Sequence, residues 1–200
     1  FMRFFHPQAG ALIDWTHPPE FLPTELGQIS IDARKGRRFA DQLVKARLLE
    51  GGELSVAVHI EVQGSRDPEF GARMSTYWWR SRERFGLPVL SIAILADDDP
   101  KFRPSQHVDQ FLGHGTVTTF HAVKLLDYRD RIEQLLRDPN PFGLAVVAHL
   151  RSHETRRDAG RRFRFKRELV LLLYERGYRR EQFQPLIRVL DWLLRMPRTL

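Results

Sequence analysis

Residues 39–63, FADQLVKARLLEGGELSVAVHIEVQ, place like residues at every second position on either side of a glycine pair. That period of two reads as two β-strands joined by a short glycine turn. The loop length fixes which side chains share a face. A two-residue Gly51-Gly52 loop pairs Glu50 with Glu53 and puts Asp41 and Glu61 on opposite faces. A three-residue loop, Glu50 to Gly52, pairs Leu49 with Glu53 and sets Asp41 opposite Glu61. In that register Val44, Ala46 and Leu48 face Leu54, Val56, Val58 and Ile60 as a core face. The other face carries Asp41, Leu43, Lys45 and Arg47 against Ser55, Ala57, His59, Glu61 and Gln63. It is expected to be polar and cationic, with two acids at one end. Hydrophobic sorting and the acid pair select the same register.

The rest of the pattern is helical or buried. Residues 1–13 are expected to form a short helix, with Pro18 and Pro19 breaking the chain after it. A second short helix is expected from Phe21 to Gly27, carrying Glu25. Asp67 and Pro68 are an N-cap and first-position pair for a helix running to about Phe85, stopped by Gly86 and Pro88. Its buried stripe is Phe70, Met74, Tyr77, Trp78 and Phe85. Val89 to Ala96 is nearly continuous apolar sequence, a central strand covered on both faces. Strand, helix and strand in that order imply a right-handed crossover and a parallel pair, hence a mixed sheet. Asp97-Asp98-Asp99-Pro100 is expected to be a solvated turn, and residues 107–112 and 116–124 edge strands.

From about Asp127 the chain reads as helical. Leu144 to Arg151 is apolar enough to pack inward, and His149 and His153, four apart, read as structural rather than as zinc ligands. The basic segment Arg156 to Arg167 is either a DNA-backbone contact or the polar face of the helix that follows. The last helix repeats Phe183, Leu186, Ile187, Leu190, Leu193 and Leu194, a stripe that needs a partner and is a candidate homodimer seam. The expectation is a single domain over 1–200, with a core at about 20–125 and a helical C-terminal extension at about 126–200.

Composition narrows the classes. Apolar content of 42% argues against disorder. The absence of cysteine excludes disulfides, thiol nucleophiles and cysteine metal sites, and fits a reducing cytoplasm. No run approaches the roughly 20 apolar residues that span a bilayer. His6 and Pro7 interrupt the opening FMRFFHPQAG too early for a signal peptide. A net charge of +7 suits a polyanionic partner. Arg34, Lys35, Arg37 and Arg38 lie just before the first strand, where they either contact phosphates or form a solvated loop. Lys45 shares the face of Asp41 at a distance of about 13 Å along the strand. Arg73 lies within reach of the hairpin end, to bind a phosphate or pair with an acid.

Two carboxylates brought together repel one another, and a hard divalent cation relieves that repulsion. The arrangement of Asp41, a hairpin, then Glu61-Val62-Gln63 and a helix resembles the PD-(D/E)XK nuclease superfamily. More narrowly, the chain resembles the Rpn-family recombination-promoting nucleases, the YhgA-like, transposase-like group. The resemblance runs through DWTHPPEFLPTELGQI (14–29), GRRFADQLVKARL (36–48), HIEVQGSRDPEFGARM (59–74), RFGLPVLSIAILADDDPKFRPSQ (84–106) and FHAVKLLDYRDR (120–131). It continues in NPFGLAVVAHLRSHETRRD (140–158) and LLYERGYRREQF (172–183).

This resemblance implies a restriction-endonuclease-like α/β fold, with a mixed central sheet flanked by helices. It implies a Mg²⁺-dependent DNA endonuclease, with Mn²⁺ as a substitute ion, acting in recombination or on mobile elements. Asp41 and Glu61 would hold the ion with the Val62 carbonyl as a third ligand. Gln63, where better-known members carry Lys, would orient the attacking water, and Gln63→Lys would recreate the commoner motif. Glu25 would offer a further acid from its helix. Two other readings stay open: a nucleic-acid-binding protein that has lost catalysis, and a partner-binding protein acting through its C-terminal helices.

Overall fold

The computed structural model describes residues 1–26, 38–39, 41–49, 55–178 and 180–195. The chain forms two compact units, Met2–Lys124 and Leu125–Leu200, the second including Phe1.

The first unit is built on a five-stranded mixed sheet. Its strands are β1 (Glu20–Phe21), β4 (Gln42–Arg47), β5 (Ser55–Gln63), β6 (Val89–Leu95) and β9 (His121–Lys124), side by side in that order. β1, β4 and β5 run antiparallel, while β5, β6 and β9 are parallel. The β4–β5 register pairs Gln42 with Ile60, Val44 with Val58 and Arg47 with Ser55. It is the register expected from the sequence; the turn at 50–54 lies outside the described residues.

Helix α3 (Phe70–Phe85) makes the crossover from β5 to the parallel β6. It begins two residues later than expected, because Asp67 caps a preceding turn instead: its Oδ1 accepts the Glu69 N–H at 2.9 Å. The helix ends where expected. Gly86 adopts φ 65°, a left-handed conformation natural to glycine, and its N–H reaches the Arg82 carbonyl. The apolar stripe Phe70, Met74 and Tyr77 is buried, with Trp78 and Phe85 half-buried beside it.

The polar, cationic face of the hairpin, opposite the expected core face, is the one that lies under α3. Leu43, Ala57 and His59 are fully buried there, and Leu43 and Ala57 form a cluster with Tyr77. The reason is that a parallel crossover must lay its helix on the sheet, so both faces of the parallel half are covered. Glu61 and Gln63 continue along that same buried face.

Several short elements fall outside the main sheet. α1 (Met2–Phe5) and α2 (Pro7–Ala11) replace the single N-terminal helix. β2 (Glu25–Leu26) pairs with β3 (Arg38–Phe39). Over the described residues 21–26 the expected helix is therefore strand and loop. Pro23 contributes to this: a proline pushes the residue before it, here Leu22, into extended backbone. β7 (Gln106–Phe111) and β8 (His114–Thr119) form a separate antiparallel ribbon packed on α3, where Ser75 Oγ and Thr118 Oγ1 lie 2.8 Å apart.

The second unit is helical. A 3-10 segment (Leu125–Arg131) leads to α4 (Ile132–Arg137), α5 (Pro141–Glu154), α6 (Ala159–Glu175) and α7 (Arg180–Leu193). Asn140 caps α5 through its side chain, which accepts the Phe142 N–H. Leu144, Val146, Val147, Ala148 and Leu150 are buried. In the C-terminal stripe Leu190 and Leu194 are buried and Phe183, Leu186, Ile187 and Leu193 partly so, as α7 packs on α5 and α6. The stripe thus packs against apolar residues within the unit. Among the described residues no helix is long and apolar enough to cross a membrane.

Candidate active site

The C-terminal end of β5 and the residue that leads into β4 meet through their side chains. The Asp41 N–H donates to Glu61 Oε2 at 3.2 Å, and the Val62 N–H donates to Asp41 Oδ2 at 2.7 Å. Each acid thus accepts a backbone N–H from the other's strand, which locks the strand ends together. Extending the β4–β5 register by one residue sets Asp41 beside Glu61. Along a strand the N–H and C=O of one residue point to the same side. The Val62 N–H and carbonyl therefore both face the β4 side of β5.

Glu61 is buried, at 5% exposure, and Asp41 is the more exposed of the two. Desolvation pushes the Asp41 carboxyl above the usual carboxylate range, and the charge of Glu61 adds to it. The Val62 N–H and the Arg73 guanidinium pull the other way. An acid raised by burial and a second acid is a group that a cation would relieve, so the residues present fit a hard divalent ion. Among the described residues no three His, Cys, Asp or Glu side chains converge. Such an ion would draw its remaining ligands from the Val62 carbonyl, water and substrate oxygens.

The positive charge at the site comes from α3. Arg73 Nε reaches Glu61 Oε1 at 3.3 Å, its Nη1 reaches Asp67 Oδ2 at 2.5 Å, and its Nη2 donates to Gln63 Oε1. Burial works against the Arg73 charge, but Asp67 and Glu61 hold the guanidinium above its ordinary pKa. The Glu69 N–H and Arg73 in turn hold Asp67 below the usual carboxylate range. Gln63 is 8% exposed, and its Nε2 donates to the Ser65 carbonyl at 2.5 Å. Beneath Glu61, the fully buried His59 sits with Nδ1 3.1 Å from Ser91 Oγ and Nε2 3.6 Å from Glu61 Oε2.

The other sequence candidates lie elsewhere. Glu25 is on β2 opposite Phe39, its carbonyl accepts Arg84 Nη1, and it is not among the side chains that Arg73 joins. Arg37, with Arg34 and Lys35, lies outside the described residues. Arg38 is in β3, opposite Leu26. Lys45 is at the far part of β4, 3.9 Å from Glu20 of β1. In the basic segment, Arg162 is engaged structurally with Thr155 Oγ1 and the Ser152 and Arg195 carbonyls. Lys166 pairs with Asp191 at 2.8 Å. Arg157, Arg164 and Arg167 are exposed and have no partner among the described residues.

The turn after β6 is not simply solvated. Asp97 is buried, and its Oδ1 accepts Lys124 Nζ at 2.6 Å; Lys124, at the end of β9, is buried as well. Only the spacing of two strand ends joins this pair, so no sequence signal marked it. His59 was legible only as a member of the face opposite the expected core. No family model, curated protein or solved structure matches this chain.

The raised Asp41 carboxyl has a stability consequence. A folded-state pKa above the unfolded value favours folding at low pH, and that contribution is lost as pH rises through the folded pKa. At neutral pH without metal, Asp41→Asn is therefore expected to raise the melting temperature, since an amide can still accept the Val62 N–H. The gain should vanish as pH falls below the usual aspartate range. Thermal melts of both proteins in EDTA from pH 3 to 8 check this.

Proposed function

We propose that this chain is a metal-dependent DNA endonuclease of the PD-(D/E)XK type, with a restriction-endonuclease-like core and an Rpn-like association with recombination or mobile elements. The observation that carries this reading is the mutual lock between Asp41 and Glu61 at the C-terminal end of β5. In mixed and parallel sheets, ligand sites favour that end of the strands. Mg²⁺, or Mn²⁺ in its place, would polarise a phosphoryl oxygen and lower the pKa of a bound water.

The protein's own part is positional. Asp41, Glu61 and the Val62 carbonyl would form the ligand set, and the mutual lock keeps both carboxylates from swinging apart. A water oxygen bonds to phosphorus and one P–O ester bond breaks. The attacking water gives up a proton and the leaving oxygen gains one, both exchanged with solvent. Arg73 faces the same acids and is placed to meet the scissile or adjacent phosphate. The chain's net charge of +7 favours a polyanionic substrate.

A plasmid-nicking assay with Mg²⁺, Mn²⁺ and EDTA tests the reading. Nicking is expected with either ion and none with EDTA. A second reading draws on the same geometry: Arg73 already neutralises Glu61, as it would in a binding protein that has lost catalysis. Calorimetric Mg²⁺ titration separates the two, because wild type should bind the ion and Asp41→Ala should not.

A further inference from the structure

We infer that Arg73 is the cation of this site, standing where related motifs place a lysine side chain on the strand, and that Gln63 is the residue that positions it. The inference rests on the nuclease reading and changes the part Gln63 plays within it. Both ends of the Gln63 amide are already engaged by protein: Oε1 accepts from Arg73 Nη2, and Nε2 donates to the Ser65 carbonyl. The Ser65 carbonyl can only accept and a guanidinium can only donate, so the two contacts fix the amide in one orientation. In this arrangement one N–H and one lone pair of the amide are committed to protein partners. The side chain is buried, so it has little room to turn away from these partners.

Arg73 is held from three sides, by Glu61, Gln63 and Asp67, and its ring neighbour Phe70 lies 5.1 Å beneath the guanidinium. Gln63 is the neutral member of that cradle. A neutral acceptor at position 63 holds a guanidinium; an ammonium there would face it across the same short contact. Two cations in hydrogen-bond reach at a half-buried site repel. Lysine at 63 and arginine at 73 therefore exclude one another, and the chain carries its positive charge on the helix. Gln63→Lys alone does not recreate the commoner motif here. It displaces the cation already present.

Arg73 donates hydrogen bonds to the non-bridging phosphate oxygens as charge builds on them, and no proton leaves it. Removing a donor of this kind typically costs about 10²–10³ in turnover.

The test is a charge relocation, with wild type, Arg73→Met, Gln63→Lys and the double variant Gln63→Lys/Arg73→Met purified alike. Mg²⁺-dependent nicking by wild type, silenced by EDTA, first tests the nuclease reading by itself. Arg73→Met and Gln63→Lys are each expected to lose about 10²-fold in kcat. The double variant should nick at least about tenfold faster than either single, because its one cation again faces the phosphate. Melting in EDTA supplies a readout independent of activity. Gln63→Lys should lower the melting temperature, and adding Arg73→Met should restore part of it. Gln63→Lys as active as wild type, or a double variant no faster than Arg73→Met, overturns the inference. Should wild type fail to nick, the nuclease reading falls, and the melting cycle still decides the charge exchange: no restoration in the double variant overturns it.

Discussion

Asp41→Ala and Glu61→Ala are each expected to reduce the proposed Mg²⁺-dependent nicking to the EDTA background, and the double variant is expected to lose little more than either single. The non-additivity follows from the geometry. The two carboxylates are tied to each other's backbone, so losing one both removes a ligand and releases the other. Groups that act as a unit show this saturation. Salt-sensitive DNA binding measured without metal is a separate property of the basic surface. It should not weaken in either variant, and for Asp41→Ala it should strengthen slightly as repulsion of phosphate falls. The measurement is initial nicking rate beside a filter-binding salt series. Equal nicking by Asp41→Ala and wild type would show that the activity comes from a contaminant or another site.

The largest effect on stability is expected at the Asp97–Lys124 pair. Both side chains are almost wholly buried, at 2% and 1% exposure. Asp97 Oδ1 also accepts the Asp99 N–H at 3.0 Å, and Lys124 Nζ donates to the Phe102 carbonyl at 3.3 Å. Asp97 Oδ2 is buried with no partner, so Lys124 carries most of the compensation for that charge. Removing one partner of a buried pair typically costs about 3–5 kcal/mol, because the survivor is left charged and unsolvated. Lys124→Met or Asp97→Asn should each lower the melting temperature by on the order of 10 °C. The neutral double variant Asp97→Asn/Lys124→Met should recover most of the loss. Its amide oxygen can still accept the Asp99 N–H, and no lone charge remains. Differential scanning calorimetry on the full chain checks the cycle. Single variants that melt with wild type would show that water reaches the pair.

The sequence by itself determined the elements whose cause is local. Period two and loop parity are enough to choose the β4–β5 register, because a slip of one residue reverses every side chain. Gly86 marks the end of α3, because the stop needs a left-handed residue. Strand, helix and strand in sequence give the parallel pairing, because crossover handedness leaves little choice. Those same local facts bring Asp41 next to Glu61. The β2 strand at Glu25 was read as part of a helix over 21–27; the local signal against that helix was Pro23, which pushes the residue before it into extended backbone.

The tertiary structure alone decided what covers what. Alternation along β5 separates two sets of side chains but does not say which set meets a helix. The packing of Phe70, Met74 and Tyr77 buried the more polar set and enclosed His59, Glu61 and Gln63. The partners of Arg73 depend on how α3 crosses β5, and the choice between acid and phosphate for a long side chain has no signature in spacing. Lys124 meets Asp97 because β9 joins β6 in parallel, which sets two strand ends side by side. A charge in sequence is expected to be solvated; only when distant strands enclose it does burial force it to find a counter-charge.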